Sequence, residues 1–194
     1  IREAKAATTL DPHSPIAWQN LANVYRQLIN VAQGADQWTI AAYTKALTLD
    51  PLNPQLRLEL GGVYYSLKNY DQAIRLFIQT TEAKPDWANG YYNLSSAYRE
   101  AKLYPQALQA MRVVIELLEP TSADYQKAQD ELKSLEKLAE AEKPQTPPTD
   151  PQTTNTEQPA LVTPTSLPSP SIEPIQLPDG SGLNLPPEST SSSQ

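Results

Sequence analysis

An internal repeat of 34 residues is the feature that most limits how this chain can fold. When the sequence is moved along itself by 34 positions, identical residues coincide at many places. The coinciding pairs include Leu60 with Leu94, Tyr64 with Tyr98, Lys68 with Lys102, Tyr70 with Tyr104, Gln72 with Gln106 and Ala73 with Ala107. A period of this length is typical of chains built from stacked helical pairs, in which each unit contacts only its neighbours.

The unit before this pair is longer. Its first half coincides with the next unit at a shift of 39, which pairs Tyr25 with Tyr64. Its second half coincides at a shift of 34, which pairs Tyr43 with Phe77. An insertion of five residues (39 − 34) is therefore present, and we place it at residues 28–34. There we expect it to lengthen the first helix by more than one turn, until Gly34 ends that helix.

The start of the chain matches the end of a unit. The segment Leu10-Asp11-Pro12 coincides with Leu49-Asp50-Pro51 at the shift of 39, so residues 1–11 correspond to a second helix. We interpret the chain as a fragment of a longer protein, and a short N-terminal cap is the alternative. The fragment hypothesis predicts that Ile1, Ala4 and Ala7 form an apolar face with little covering it.

The repeated positions resemble the tetratricopeptide repeat, whose pattern is W-x2-L-G-x2-Y, then A-x3-F, then P, over 34 residues. The second unit carries nearly the whole pattern, with Arg57 in the tryptophan place, and its neighbours carry most of it. The matching residues are Trp18, Leu21, Ala22 and Tyr25 in unit one; Leu60, Gly61, Tyr64, Ala73, Phe77 and Pro85 in unit two; and Tyr91, Leu94, Ser95, Tyr98, Ala107 and Met111 in unit three, where Pro120 comes one residue late. The resemblance covers about residues 1–120.

This resemblance implies an all-α fold: a short right-handed α-solenoid of about three helix pairs, with a half unit before them and a capping helix after them. We expect the solenoid to span residues 1–143. Its predicted parts are a half unit at 1–12, repeats at about 15–51, 54–85 and 88–120, and a capping helix at 122–142. The predicted helices are about 1–10, 15–33, 36–49, 54–67, 71–83, 88–101 and 105–118, followed by the capping helix.

Two local patterns add detail. Small residues at position 61 and its equivalents, Ala22 and Ser95, keep the first helix of each unit thin where the second helix crosses it. The segment Thr121-x-x-Asp124 is a capping-box pattern that starts the final helix. The apolar residues of that helix recur every three or four positions and predict one buried stripe. This stripe consists of Tyr125, Ala128, Leu132, Leu135 and Ala139.

The composition changes after Lys143. All fifteen Lys and Arg lie at or before this residue, so the net charge of −7 divides into −2 for residues 1–143 (15 basic minus 17 acidic) and −5 for the rest. Residues 144–194 are rich in Pro, Ser, Thr and Gln, and we expect them to be disordered because they cannot bury enough apolar surface. The less polar stretch 172–178 is either part of a passive spacer or a short docking motif.

Several functional classes are disfavoured. A near-neutral folded part and an acidic tail argue against binding nucleic acid or an anionic membrane surface. The chain has no Cys, which excludes disulfides, and it has no apolar run long enough to span a bilayer. The single His13 lies in a proline-rich turn, and Glu116 with Glu119 lacks a third ligand. We therefore expect no enzyme activity, no cofactor and no metal site; the compartment and the oligomeric state stay open.

The resemblance implies a concave groove lined by the first helices, which holds an extended peptide. By helical period, polar and aromatic residues of these helices point away from the core stripe, and asparagine can satisfy both donors and acceptors of a peptide backbone. The expected peptide-binding residues are Gln19, Asn20, Asn23, Arg26, Glu59, Tyr65, Asn89, Tyr92, Asn93 and Arg99. The alternative is that these residues only keep a solvated face polar.

A protein or peptide is thus the expected partner of an interaction or scaffold module. Some members of the family grip a C-terminal carboxylate with lysines, but the matching positions here hold Gln, Asn, Leu and Tyr, so this activity is not expected. More weakly, the chain is similar to the soluble repeat segments of bacterial O-antigen ligase/polymerase-like membrane proteins. This second hypothesis makes it an accessory domain of a glycopolymer enzyme whose catalytic part lies elsewhere.

Overall fold

The computed structural model of the chain describes residues 1–142. Within this range there are eight helices and no strand. The helices are α1 (Arg2–Leu10), α2 (Pro15–Arg26), α3 (Ala35–Leu49), α4 (Pro54–Ser66), α5 (Tyr70–Ala83), α6 (Ala88–Glu100), α7 (Tyr104–Leu117) and α8 (Ala123–Ala141). None of these helices is long and apolar enough to cross a membrane. The disorder predicted for 144–194 concerns residues outside the described range.

Consecutive helices pack against each other along the whole stack. Helix α2 pairs with α3, α4 with α5, and α6 with α7, while α1 lies on α2 and α8 lies on α7. Contacts between α3 and α4 and between α5 and α6 join the pairs, and α4 also meets α6. This is an all-α solenoid of the predicted kind. Each apolar face is buried by the partner helix of its own unit and by the neighbouring unit.

The helix starts follow from capping side chains and prolines. The Asn53 side chain accepts hydrogen bonds from the backbone N–H groups of Gln55 and Leu56, at 3.0 and 3.3 Å. Ser14 and Asn69 cap α2 and α5 in the same way. Proline occupies the first turn of α2, α4 and α7, where its missing N–H has no partner to lose.

The turns between units are closed by the residue in the tryptophan place. Trp18 Nε1 donates to the backbone carbonyl of Pro12 at 3.0 Å. Arg57, the equivalent residue of the next unit, donates through Nη2 to the carbonyl of Pro51. An indole and a guanidinium thus donate to the same carbonyl of the repeat. This shared bond explains how an arginine can replace the tryptophan.

The predicted extension of the first helix over 28–33 is wrong. Helix α2 ends at Arg26, and residues 27–34 form a series of turns. Asn30 has a φ of 71° and Gly34 a φ of 79°, and these left-handed conformations interrupt a helix. Leu28 and Ile29 pack against the core that contains Tyr25 and Tyr43. The insertion is therefore anchored by apolar contacts, which favour a compact loop over a helix that projects into solvent.

The core runs through the stack as three clusters. The first joins the first two units around Tyr43 and Leu60, the second joins units two and three around Phe77, and the third joins unit three to α8 around Met111. The small residues predicted at the helix crossings are buried: Ala22 and Ser95 have no exposed surface. At the Gly61 crossing, a Cβ atom would lie 2.5 Å from Cε1 of Phe77.

Substitution of Gly61 by Ala tests this crossing. Phe77 is 1% exposed and has no space to retreat, so we expect Gly61→Ala to lower the free energy of unfolding by about 1–3 kcal/mol. Gly62→Ala is the matched control, because no atom lies within 4 Å of its Cβ position. This variant should raise stability by about 0.5–1 kcal/mol through helix propensity. Urea unfolding followed by circular dichroism measures both, and equal effects would contradict the close crossing.

The final helix begins one residue later than the capping-box pattern predicts. Ser122, not Thr121, is the N-cap: its hydroxyl accepts from the backbone N–H of Tyr125 at 3.1 Å. The same hydroxyl donates to the carbonyl of Glu119 at 2.8 Å, and this second bond fixes the serine at the helix entrance. The predicted stripe is correct, since Ala128 and Leu135 are buried and the remaining members of the stripe are half-buried.

The two candidate caps can be separated by experiment. Ser122→Ala should destabilise the chain by about 0.5–2 kcal/mol, because it removes an N-cap acceptor. Thr121→Ala changes an exposed side chain next to the cap and should alter stability by less than about 0.5 kcal/mol. Thermal unfolding of both variants measures the difference. A larger loss for the Thr121 variant would restore the original pattern-based assignment.

The first helix carries the sparsely covered face that the sequence predicts. Ile1 is 51% exposed, Ala7 is exposed and Ala4 is half-buried. By contrast, Tyr43 in the core has no exposed surface. The contrast shows that α1 buries less of its apolar stripe than the internal helices do.

Candidate partner-binding surface

Side chains of four helices meet on one side of the stack. Gln19 of α2 donates through Nε2 to Glu59 Oε1 of α4 at 3.3 Å. The Tyr92 hydroxyl of α6 donates to Glu131 Oε1 of α8 at 2.7 Å. Between these pairs, Tyr65 of α4 lies close enough to Arg99 of α6 for the arginine to lower the pKa of its hydroxyl, although burial raises that pKa overall. We call this the first-helix surface; it consists of the ten predicted residues together with Gln55, Gly62 and Glu131.

Equivalent positions of the three units form rows across the first-helix surface. One row is Asn20, Glu59 and Asn93, which coincide at the shifts of 39 and 34. Another row, one to two turns further along each helix, is Arg26, Tyr65 and Arg99. The rows show that the helical-period argument selected residues in matching places.

Glu59 is the centre of a polar cluster in the first half of this surface. Besides the Gln19 bond, its Oε1 accepts from Gln55 Nε2 at 2.9 Å. Its Oε2 is buried and has no donor among the described residues. Two neutral amides therefore hold the carboxylate in place, and no cation lies within 4 Å of it in the described part of the chain.

Tyr43 connects this cluster to the core. Its hydroxyl donates to Asn23 Oδ1 at 2.6 Å, and this single proton is then not available to the neighbouring Glu59. Burial raises the pKa of Tyr43, the nearby Glu59 raises it further, and the charge of Arg26 lowers it. The tyrosine belongs to α3 and coincides with the core residue Phe77 in the repeat, yet its hydroxyl also fixes the orientation of a surface asparagine.

The second half of the surface combines aromatic rings with charge. The Tyr65 and Tyr70 rings lie 5.7 Å apart in an edge-on arrangement. Arg99 Nη2 lies 3.2 Å from Glu100 Oε1, so its charge is already compensated. The hydrogen bond to Glu131 and, next, burial raise the pKa of Tyr92. In this half, the charge of Arg99 and the hydroxyl of Tyr92 already have partners within the chain. It therefore offers a partner mainly the surfaces of aromatic rings.

The remaining predicted residues contribute in different ways. Asn93 Nδ2 donates to the backbone carbonyl and the Oδ1 of Asn89, at 2.8 and 3.0 Å, so these two amides bond within one helix. Asn20 and Arg26 are exposed. Helical period assigns these side chains to one face, but it does not show which of them bond to each other.

Two participants were missed by sequence reasoning. Glu131 lies on α8, which was expected only to cover the last repeat, and Glu100 lies next to Arg99 at the end of α6. The available signal was the position of α8, because a capping helix stands where the first helix of a further unit would stand. Its polar face therefore continues the first-helix surface, and Glu131 reaches Tyr92.

Two clefts of the described residues lie away from this surface. One, of about 520 Å³, is formed between the start of α7 and the end of α8 and is lined by residues including Tyr104, Leu108 and Ala139. The other surrounds the turn at Leu67–Asp71 beside Ala101. Both are shallow hollows beside turns or helix ends, and we assign neither a function. The described residues contain no group of three or more metal-ligating side chains.

One protein family matches part of the chain. Residues 32–98 match the tetratricopeptide repeat. The matched segment, about a third of the chain, runs from the inserted loop to the end of α6 and contains the regular second unit. It agrees with the resemblance drawn from the spacing of the pattern residues.

Solved structures extend this likeness over most of the described chain. The first tetratricopeptide domain of Spaghetti (RPAP3), bound to the HSP90 peptide SRMEEVD, has a TM-score of 0.56 at 22% identity and covers 67% of this chain and 96% of that one. The first such domain of human RPAP3, solved by NMR, has a TM-score of 0.56 at 23% identity, with 67% and 95% covered. MamA from Desulfovibrio magneticus RS-1 has a TM-score of 0.55 at 20% identity, with 73% and 84% covered.

These identities establish the fold alone. No curated protein matches the chain. The weaker resemblance to O-antigen ligase-like proteins thus receives no support and stays a prediction. The tetratricopeptide solenoid is the common element of all the similarities.

The raised pKa of Tyr43 predicts a stability loss at alkaline pH. Its pKa is higher in the folded state than the unfolded value near 10, so the unfolded chain releases its proton first. Stability should be full below about pH 10 and should fall as the pH rises further. Tyr43→Phe should cost about 1 kcal/mol at pH 8 through the lost Asn23 bond but show a shallower alkaline fall. Urea unfolding at several pH values measures this, and parallel curves for both proteins would contradict it.

Proposed function

We propose that this chain is a protein–protein interaction module that binds an extended peptide or partner segment along the first-helix surface. The observation that carries the proposal is that hydrogen bonds between units join side chains of α2 to α4 and of α6 to α8 on one surface. Such bonds fix side chains before a partner arrives, which reduces the entropy lost on binding.

The chemistry of the surface suits a peptide main chain. Amide side chains on α2, α4 and α6 offer both donors and acceptors, and an extended peptide needs both because its N–H and C=O groups lose water when it docks. The Tyr92 ring, 36% exposed, adds flat apolar area at low entropic cost. A merely solvated face does not require an aromatic ring such as Tyr92, whose hydroxyl is already paired with Glu131.

One structural neighbour supports the mode of binding. The first tetratricopeptide domain of Spaghetti (RPAP3) was solved with an HSP90 peptide bound, and this chain covers 96% of it. At 22% identity the likeness does not transfer the ligand. It supports a peptide-binding role for a stack of this size, and the partner of this chain is a separate question.

A combined variant tests the surface. We expect the full chain, immobilised and exposed to a library of random linear peptides, to enrich a family of binding sequences. Replacing Asn20, Tyr92, Asn93 and Arg99 together by Ala should weaken their binding at least about tenfold, since it removes donors and ring surface from two units. Fluorescence anisotropy with the enriched peptides measures the dissociation constants.

The control variant carries four alanines on the second helices of the pairs. It replaces exposed residues of α3, α5 and α7, namely Gln37, Arg75, Gln109 and Arg112, and should bind as the wild type does. The control variant should unfold within a few degrees of the wild type, because exposed substitutions change stability little. The Asn20/Tyr92/Asn93/Arg99 variant loses the Tyr92–Glu131 bond, so thermal unfolding must verify that it is folded at the temperature of the binding assay. Failure of the wild type to enrich any peptide, or equal binding by the Asn20/Tyr92/Asn93/Arg99 variant, would refute the proposal.

A further inference from the structure

We propose that Glu59 selects partners that place a lysine or arginine side chain on the first-helix surface. This inference rests on the proposed function, because it names the partner chemistry of the same surface. Glu59 occupies the place that Asn20 and Asn93 hold in the neighbouring units. A single carboxylate thus interrupts a row of neutral amides at the middle of the stack.

The charge of Glu59 has no partner in the described chain. Its Oε1 accepts from Gln19 and Gln55, both neutral, and its Oε2 has no donor. A carboxylate offers about four acceptor positions, so half of them are unused. The described ion pairs lie elsewhere, at Arg99 and within α8.

The two arginines of this surface, Arg26 and Arg99, form no ion pair with Glu59. Arg99 is paired with Glu100 at 3.2 Å, one unit further along. Arg26 is exposed on α2, and the titratable group it influences is the Tyr43 hydroxyl. The tyrosine itself cannot supply charge, and it gives its proton to Asn23.

When a peptide docks, the unpaired charge of Glu59 determines which side chains the surface accepts. Glu59 is half-buried and its Oε2 is already buried, so a peptide that lies along the surface removes what water still reaches this side chain. Burying a carboxylate costs free energy unless the partner replaces water with a donor, and a cationic donor also compensates the charge. A segment with an apolar or acidic side chain at this place is therefore rejected, whereas one with a basic side chain gains a charge-assisted hydrogen bond.

The surface also has space for such a side chain. Gly62 lies three residues after Glu59 on α4, hence on the same face of the helix. No atom lies within 4 Å of its Cβ position. Its equivalents in the other units are Asn23 and Ser96, so the middle unit alone leaves an open depression there. The aliphatic part of a lysine or arginine can lie over this glycine while its charged end reaches the carboxylate.

The test is a double-mutant cycle between Glu59 and the peptide. Peptides enriched on the full-length wild type should contain lysine or arginine at a fixed position. Replacing that residue by norleucine, which is similar in shape but uncharged, should weaken wild-type binding about tenfold. Glu59→Gln should bind both peptides equally, since it keeps the acceptor and loses the charge.

A second variant guards against misfolding. Glu59→Asn introduces the residue found at the equivalent places of the neighbouring units, and it should give the same loss of preference as Glu59→Gln. The wild-type preference for the charged peptide should also decline with added NaCl, while the binding of both variants should depend little on salt. Thermal unfolding verifies that the variants are folded.

The outcomes separate this inference from the proposed function. Enriched peptides that lack a basic residue, or a norleucine effect that persists in both Glu59 variants, would refute the role of Glu59 while the peptide-binding function stands. If the wild type enriches no peptide that it binds more tightly than the Asn20/Tyr92/Asn93/Arg99 variant does, both the peptide-binding function and the role of Glu59 are refuted. Loss of the charged-peptide preference in both Glu59 variants alone supports the inference.

Discussion

The crossing of Gly61 and Phe77 is the contact on which the regular unit depends. A Cβ atom at position 61 would lie 2.5 Å from the Phe77 ring, so the ring occupies space that only glycine leaves open. In the next unit Ser95 stands in the same place, and its hydroxyl donates to the carbonyl of Ala107 at 2.8 Å. Both solutions bring the two helices of a unit close together. This closeness sets the thickness of the unit and therefore the spacing of the first helices across the stack.

That spacing is what allows side chains of different units to bond. Gln19 reaches Glu59, and Tyr92 reaches Glu131, because α2, α4, α6 and α8 lie side by side. These bonds hold the side chains of the first-helix surface in place, but they leave some of its hydrogen-bonding groups without a partner. Bonds between units stabilise the stack, and the groups they leave unpaired define what a partner must supply. In Glu59, for example, Oε1 bonds to the neighbouring unit and contributes to stability, while Oε2 lacks a donor and bears on recognition.

The sequence predicts the fold well because the same residue types recur at a fixed spacing, which makes the pattern specific. One glycine or tyrosine is ambiguous, but recurrence at 34 residues fixes the role of Gly61, Ser95 and Phe77 together. The prediction failed where the repeat was interrupted. In the insertion, local turns and the core contacts of Leu28 and Ile29 outweighed helix propensity. At α8, the hydroxyl of Ser122 bonds back to Glu119, a tertiary detail that the capping pattern does not contain.

Helical period assigns residues to the candidate surface but does not reveal the hydrogen bonds that distinguish them. Helical period alone assigns Asn20, Glu59 and Asn93 to one row, and on that basis all three look alike. The structure separates them, because Glu59 is held by amides from two helices and its second oxygen lacks a donor. Such a state depends on contacts between residues 40 positions apart, which no local pattern records. The residue that departs from the row is therefore the one that carries information about the partner: the repeated asparagines would suit many peptides, and a single unpaired carboxylate restricts which of them can bind.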